Sequence, residues 1–384
     1  MHILAIADAF VYMCPAVYTT FLSAFYTQKG LTGTETGILF GISPLMYILI
    51  QPLWARLADR TGKRRSVLCV VCIGSAISLL LFYLGNGFAS YLPAALLLSS
   101  FVTAMAPISD SIILIQAARY HLPFAKIRLA GTAGYIGIVL LCGQVFTCHP
   151  EWMFGCASAM FVLYAIVARW LPADEPVKRI ASDRDRAERM KIRRYVHGEF
   201  LFLLLFAFCG YVGLSFCTTY SGAYLAQLGY NSMVVAAASI LSAVSEVPVL
   251  LILGRRMEQM KPLKLMAIAC LMTGLRILLT GSGVLALMLF AQLLQSVTYM
   301  LMYYCGVMCI GRYVPEKLQS SGQSLLVLVQ SGCGSMIGAV AGGRLIDAAG
   351  MQAAFAGYAS LTILGTLAVS LVLWKRMRKE RSFS

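Results

Sequence analysis

Charge is what this sequence has least of. Only 12% of its 384 residues are Asp, Glu, Lys or Arg, against about 25% in an ordinary soluble domain. So few charges cannot cover the water-facing surface of a chain this long, which excludes a large soluble protein. Acidic residues are the scarcer kind, 16 against 31 basic ones, and the net charge is +15. On a soluble protein that excess would point to nucleic acid, but no zinc-finger spacing and no basic-and-aromatic stripe accompanies it. Histidine occurs four times, at His2, His121, His149 and His197, all near expected helix ends or loops. No H-E-x-x-H and no Ser-His pair stands inside an apolar run, so an intramembrane enzyme lacks its catalytic cluster. No metal or cofactor is expected. A basic leader is missing too: Met1-His2 runs straight into apolar sequence. The first segment therefore reads as a retained helix and not a cleaved signal, and the abrupt start leaves room for residues upstream.

What is abundant is apolar sequence, at 59% of the chain. A helix needs about 20 apolar residues to cross the hydrocarbon. Twelve runs qualify: 4–26, 34–54, 66–86, 91–117, 129–148, 152–172, 199–222, 232–253, 262–280, 284–310, 320–341 and 353–374. They are too long and too uniformly apolar for barrel strands, so the expected fold class is an all-α integral membrane protein of twelve transmembrane helices. The twelve cysteines lie mostly in these runs, where Cys behaves as a small hydrophobe. Cys69-x-x-Cys72 therefore reads as apolar packing and not as a redox or zinc pair.

The basic residues cluster in alternate loops. After the second run stand Arg56, Arg60, Lys63, Arg64 and Arg65; after the fourth, Arg119 and Lys126. The loop after the sixth is the most basic, and Arg255, Arg256, Lys261, Lys264, Arg312 and Lys317 continue the pattern. The opposite loops offer little beyond Lys29 and Arg344. The even loops and both termini are thus expected on the cytoplasmic side, facing anionic lipid. The one long polar stretch, 173–198, divides the chain into a six-helix half at 1–172, a linker at 173–198, a second half at 199–374 and a basic tail at 375–384.

Within this frame Gln51–Leu68, QPLWARLADRTGKRRSVL, carries the strongest local signal. It resembles the signature loop of the major facilitator superfamily: a small residue, an Asp four later, a Gly three after that, then basic residues. These are Ala55, Asp59, Gly62, Lys63 and Arg64; Ala55 stands where the family often has Gly. A carboxylate set against a helix N-terminus and basic neighbours can make contacts in one conformation and lose them in another, so Asp59, Gly62, Lys63 and Arg64 form a candidate conformational latch. Gly343–Gly350, GRLIDAAG, repeats the pattern on the opposite side, as inverted repeats would.

Three further segments narrow the resemblance. They are Thr34–Phe40, Ala106–Asp110 and Phe124–Gly131, and together they resemble the lactose permease and its phenylpropionate and nucleoside permease relatives. The resemblance implies that an acid on the fourth helix and an Arg on the fifth hold solute hydroxyls; Asp110 and Arg128 match that pair. Thr132 and Tyr135 follow Arg128 at i+4 and i+7 on one helix face, suited to a hydroxylated or aromatic solute. Glu246 and Arg276 stand in the eighth and ninth runs and resemble positions of substrate and proton coupling. Charges at membrane depth are functional by default, and carboxyls there serve as proton relays. The tenth run departs from the resemblance. Lys, His and Glu at spacing three and three are replaced by Gln292, Gln295 and Thr298, none of which titrates near neutral pH. Proton coupling is then left to Glu246, with Asp110 or Asp8 as substitutes; Asp8 fits either a membrane site or the headgroup region.

The expected function is secondary active transport of a small organic solute (a sugar, nucleoside or aromatic acid) by alternating access, with proton symport, in a bacterial-type inner membrane, by a monomer. The six binding residues, Asp110, Arg128, Thr132, Tyr135, Glu246 and Arg276, are expected to line a midplane cavity. The alternatives are an uncoupled facilitator or exporter of the same fold, or a non-transporting membrane sensor.

Overall fold

The computed structural model describes residues 2–122, 124–172, 196, 198–252, 261–315 and 318–382. These residues are helical almost throughout, as a chain that cannot lend its backbone polar groups to water must be. The helices are α1 (His2–Gln28), α2 (Gly33–Leu49), α3 (Gln51–Thr61), α4 (Arg64–Leu80), α5 (Phe88–Arg119), α6 (Phe124–Val145) and α7 (Trp152–Ala168). They continue as α8 (Gly198–Gln227), α9 (Ser232–Ile252), α10 (Pro262–Gly281), α11 (Leu285–Leu293), α12 (Leu301–Tyr313), α13 (Gln319–Val327), α14 (Ser335–Ala349) and α15 (Met351–Ser382). Two π-helical turns, Ser296–Met300 and Leu328–Gly334, join α11 to α12 and α13 to α14. Among the described residues, ten helical stretches are long and apolar enough to cross a membrane, and Trp152–Ala168 and Ser232–Glu246 are shorter apolar helices. The linker, apart from Val196 and Gly198, lies outside the described residues, as do Arg255, Arg256, Lys317 and the side chains of Lys126, Lys379 and Arg381.

Local chemistry sets the breaks. At the start of α2, Thr32 and Glu35 form a capping box: the Glu35 N–H donates to Thr32 Oγ1 (3.1 Å) and the Thr32 N–H to Glu35 Oε2 (2.9 Å). The second apolar run does not continue as one helix. It is divided at Ile50, where Pro52 opens α3, because a proline in the first turn forfeits no helical N–H bond. The signature segment is consequently helical up to Thr61 and not a loop; Gly62, at φ 65°, ends it in the left-handed region that glycine enters without strain.

The chain forms two compact units, one of Met1–Arg179 with Gly222–Ile240, the other of Ile180–Ser221 with Leu241–Ser384. In the first, α1 packs on α6, α7 and α5, and α4 on α5 and α7. An aromatic cluster of Phe25, Tyr26, Phe82, Tyr91 and Phe154 fills one part of its core. In the second, α10 packs against α15, α12 and α11. Its core gathers Phe206, Met266, Cys270, Met302 and Cys305. There α14 meets α8 at close range: a Cβ on Gly338 would overlap the Val212 carbonyl oxygen, so glycine is what lets the two backbones approach.

Candidate functional site

In the first unit the charged side chains converge at one end. Asp8 lies six residues after the start of α1, Arg128 four after the start of α6, and Asp110 nine before the end of α5. At 1.5 Å per residue these are depths of about 9, 6 and 13 Å. Asp8 is wholly buried, and its Oδ1 stands 3.8 Å from Arg128 Nη1. The guanidinium also lies 4.1 Å from the centre of the Tyr12 ring, one helical turn along α1 from Asp8, a cation–π arrangement. Gly131, three residues on from Arg128, makes the approach possible: a Cβ there would overlap Asp8 Oδ2 and the Tyr12 ring. No side chain among the described residues donates a hydrogen bond to Asp8, which faces the Gly131 backbone N–H, and Asp110 Oδ1 has no hydrogen-bond partner among them. Asp110 is half-buried and within electrostatic range of Asp8. Beside it Ser109 hydrogen-bonds to the Tyr164 hydroxyl, and the Tyr164 ring stacks on Phe10 at 5.6 Å.

The guanidinium of Arg128 pairs with Asp8 and not with Asp110. Asp8 was legible only as an acid in an apolar run, and no sequence signal pointed to Tyr12. Thr132 and Tyr135 lie along α6 beyond Arg128, both half-buried.

The signature segment carries the exposed ion pair Asp59–Arg64 at 3.0 Å. Arg65 Nη1 donates to the Leu171 carbonyl at 3.1 Å, tying the start of α4 to the residues just past α7. Lys63 is the residue before α4, next to Gly62.

In the second unit Arg276 is 2% exposed, the most deeply enclosed charge of that unit's described helices, and the tenth apolar run surrounds it with neutral acceptors. Nη2 donates to Gln292 Oε1 at 2.8 Å. Nη1 donates to Gln295 Oε1 and to Thr298 Oγ1, the latter at 3.4 Å. Gln292 is itself held, accepting from Ser242 Oγ on α9 (3.2 Å) and donating from Nε2 to the Met288 carbonyl (3.3 Å). Gln295 faces both ways: its Oε1 accepts from Arg276 while its Nε2 donates to Glu246 Oε1 at 3.3 Å. One amide thus bridges the guanidinium and the carboxylate. Thr298 falls within the π-helical turn, a geometry that recurs at functional sites. Gln292, Gln295 and Thr298, which the sequence shows as missing titratable groups, form the polar cage of Arg276. Two amides three apart in an apolar run were the available signal.

Among the described residues no group of three or more His, Cys, Asp or Glu could hold a metal ion. All twelve cysteines are free; Cys72 is buried, and the Cys69 thiol donates to the Ala165 carbonyl at 3.4 Å.

Charges buried in long apolar helices fit a membrane protein with a polar interior, and the comparisons with known proteins agree that it is a membrane transporter. The uncharacterized transporter YwbF of Bacillus subtilis (strain 168) is 22% identical over 367 residues, covering 94% of this chain and 90% of its own. The maltose permease of Geobacillus stearothermophilus is 25% identical over 364 residues, covering 93% and 90%. The crystal structure of the nucleoside transporter NupG superposes with a TM-score of 0.80 over 97% of this chain and 98% of its own, at 15% identity, a likeness of fold. These proteins are transporters and not enzymes. The model of the MFS_1 like family matches residues 5–357, nearly the whole chain, which is therefore a multi-pass membrane transporter belonging to that family.

Proposed function

We propose that the protein is a secondary active transporter of a small, hydroxylated organic solute, a sugar or a nucleoside, working by alternating access with proton symport. The observation that carries this reading is the caged Arg276: a full charge inside an apolar bundle, bonded to amides and a hydroxyl and bridged by Gln295 to Glu246. Such a charge is costly and persists where it serves binding or ion handling. Amides and a guanidinium offer donors and acceptors for the hydroxyls of an uncharged solute. Maltose and nucleosides, for which the maltose permease and the nucleoside transporter are named, belong to the same class.

In this reading Asp110, Arg128, Thr132 and Tyr135 of the first unit and Glu246 and Arg276 of the second bind solute, and Glu246 takes up and releases the coupled proton. Asp59, Gly62, Lys63 and Arg64 act as a latch whose pairing changes during the cycle. The chain crosses a bacterial-type inner membrane twelve times, in halves at 1–172 and 199–374, with both termini in the cytoplasm, and works as a monomer. Purified protein in sealed vesicles, screened for uptake of sugars, nucleosides and aromatic acids under an imposed proton gradient, tests the proposal. Accumulation of a neutral hydroxylated solute supports it. Accumulation of aromatic acids alone overturns the solute class, and absence of any flux overturns transport in favour of a sensor.

A further inference from the structure

The second unit holds a buried donor that the Arg276 cage does not use. Gln330 is 4% exposed, and its Nε2 has no hydrogen-bond partner among the described residues. An amide hidden from water ordinarily keeps a partner, and leaving it unpaired is costly. Gln330 stands in the π-helical turn Leu328–Gly334, a geometry that recurs at functional sites. Two other elements of the unit face that turn. On α12 the amide meets a glycine: a Cβ on Gly306 would lie 3.8 Å from Gln330 Nε2. Tyr303 and Tyr299 precede Gly306 by three and seven residues, so the three share one helix face. On α8, Tyr211 packs against Gly334, four residues on from Gln330; a Cβ on Gly334 would stand 3.1 Å from Tyr211 Cβ. Tyr211 is also within electrostatic range of both Tyr299 and Tyr303. Tyr211 is buried, Tyr299 half-buried and Tyr303 53% exposed, so the group is closed at α8 and open at Tyr303. Tyr299 directly follows Thr298, an acceptor of Arg276, and the group therefore adjoins the cage.

Tyrosine rings present flat faces against which a planar ring stacks, and the glutamine amide presents N–H bonds that only an acceptor can take. A saturated sugar ring has no flat face to offer the tyrosines. The geometry points to Gln330 as a specificity-determining residue that donates to a carbonyl oxygen on a planar ring of the solute, held among Tyr211, Tyr299 and Tyr303. On a nucleoside that ring is the base, and the hydroxyls are left to the Arg276 cage. This rests on the transport reading and narrows its solute class. Transport is read as flux in vesicles and ring recognition as binding, so the two fail separately.

The test is equilibrium binding to the full chain in detergent, with inosine, purine riboside and maltose as probes. The two nucleosides share the ribose and the purine frame; inosine adds a carbonyl oxygen with its ring N–H. Wild type is expected to bind inosine about tenfold more tightly than purine riboside, the worth of one hydrogen bond. Gln330→Leu and Gln330→Glu, which both remove the donor, should bring the two nucleosides within about twofold by weakening inosine alone. If neither variant folds, the wild-type ratio and Tyr303→Leu decide: Tyr303 is exposed, and losing its ring should weaken both nucleosides. A wild type that binds the two nucleosides equally overturns the inference, as does one that binds maltose and neither nucleoside. So do Gln330 variants that keep the wild-type ratio, or that weaken both nucleosides alike, as a merely structural glutamine would.

Discussion

Replacing Gln295 by Leu keeps the bulk of the side chain and removes both halves of its bridge. Arg276 Nη1 is left with Thr298 Oγ1 at 3.4 Å, and Glu246 Oε1 loses a donor at 3.3 Å. A hydrogen bond to a charged group contributes about 1.5–3 kcal/mol, and a buried donor left without a partner costs about the same. Glu246 is half-buried, so water replaces its lost donor at small cost. Arg276 is 2% exposed and has no such recourse. The expected destabilisation is about 2–3 kcal/mol, a roughly 30- to 150-fold rise in the population of opened molecules. The chain carries its own reporters, since Cys217, Cys270, Cys305 and Cys309 of the same unit are all buried thiols. Their labelling by a thiol-reactive dye in detergent tracks the opened fraction when reclosing outpaces the dye. Gln330→Leu is the comparison: Gln330 is 4% exposed, but its Nε2 already lacks a partner. Labelling of Gln295→Leu within about threefold of wild type, or no faster than that of Gln330→Leu, would refute the bridge as the support of Arg276.

Asp59→Asn should slow turnover while leaving solute affinity unchanged, because the Asp59–Arg64 pair is exposed and belongs to the signature segment; equal losses in equilibrium binding and in transport rate would argue against a latch. Glu246→Gln should abolish gradient-driven accumulation yet retain solute exchange, and a variant that still concentrates solute under a proton gradient removes Glu246 as carrier. Gly338→Ala should destabilise by about 1–3 kcal/mol, since the added methyl meets the Val212 backbone oxygen, which cannot swing aside. Gly311→Ala, with nothing within 4 Å of the added methyl, should leave the thermal midpoint unchanged.

How much of this was legible beforehand follows from the kind of signal each feature leaves. Long apolar runs announced the helices because lipid permits the backbone few alternatives. The signature segment around Asp59 announced the family, and the match over residues 5–357 agrees with it. Its local conformation reads in the sequence as a loop past residue 54, whereas Pro52 opens a separate helix that runs on to Thr61. Both π-helical turns were invisible, as they obey no composition rule. At the candidate site, charges in apolar runs stood out in the sequence, but which of them touch did not. The partner of Arg128 depended on how α1 rotates against α6, which Gly131 decides by having no side chain. The cage of Arg276 was read only as an absence because amides were judged by their lack of charge and not by their lone pairs.

That cage has a consequence for how such a chain changes over generations. Each glutamine codon lies a single base away from glutamate, histidine and lysine codons. At Gln292 and Gln295 one nucleotide therefore separates a lining indifferent to acidity from one that answers to it. Glutamate or histidine at either place could still accept from the guanidinium, so the step need not pass through an unsupported Arg276. A lysine would set like charge against like and would have to be balanced by an acid beside it. The arginine's acceptors thus mark a place where descendants of one sequence can gain or lose a titrating group in a single mutation while the bundle that surrounds it stays as it is.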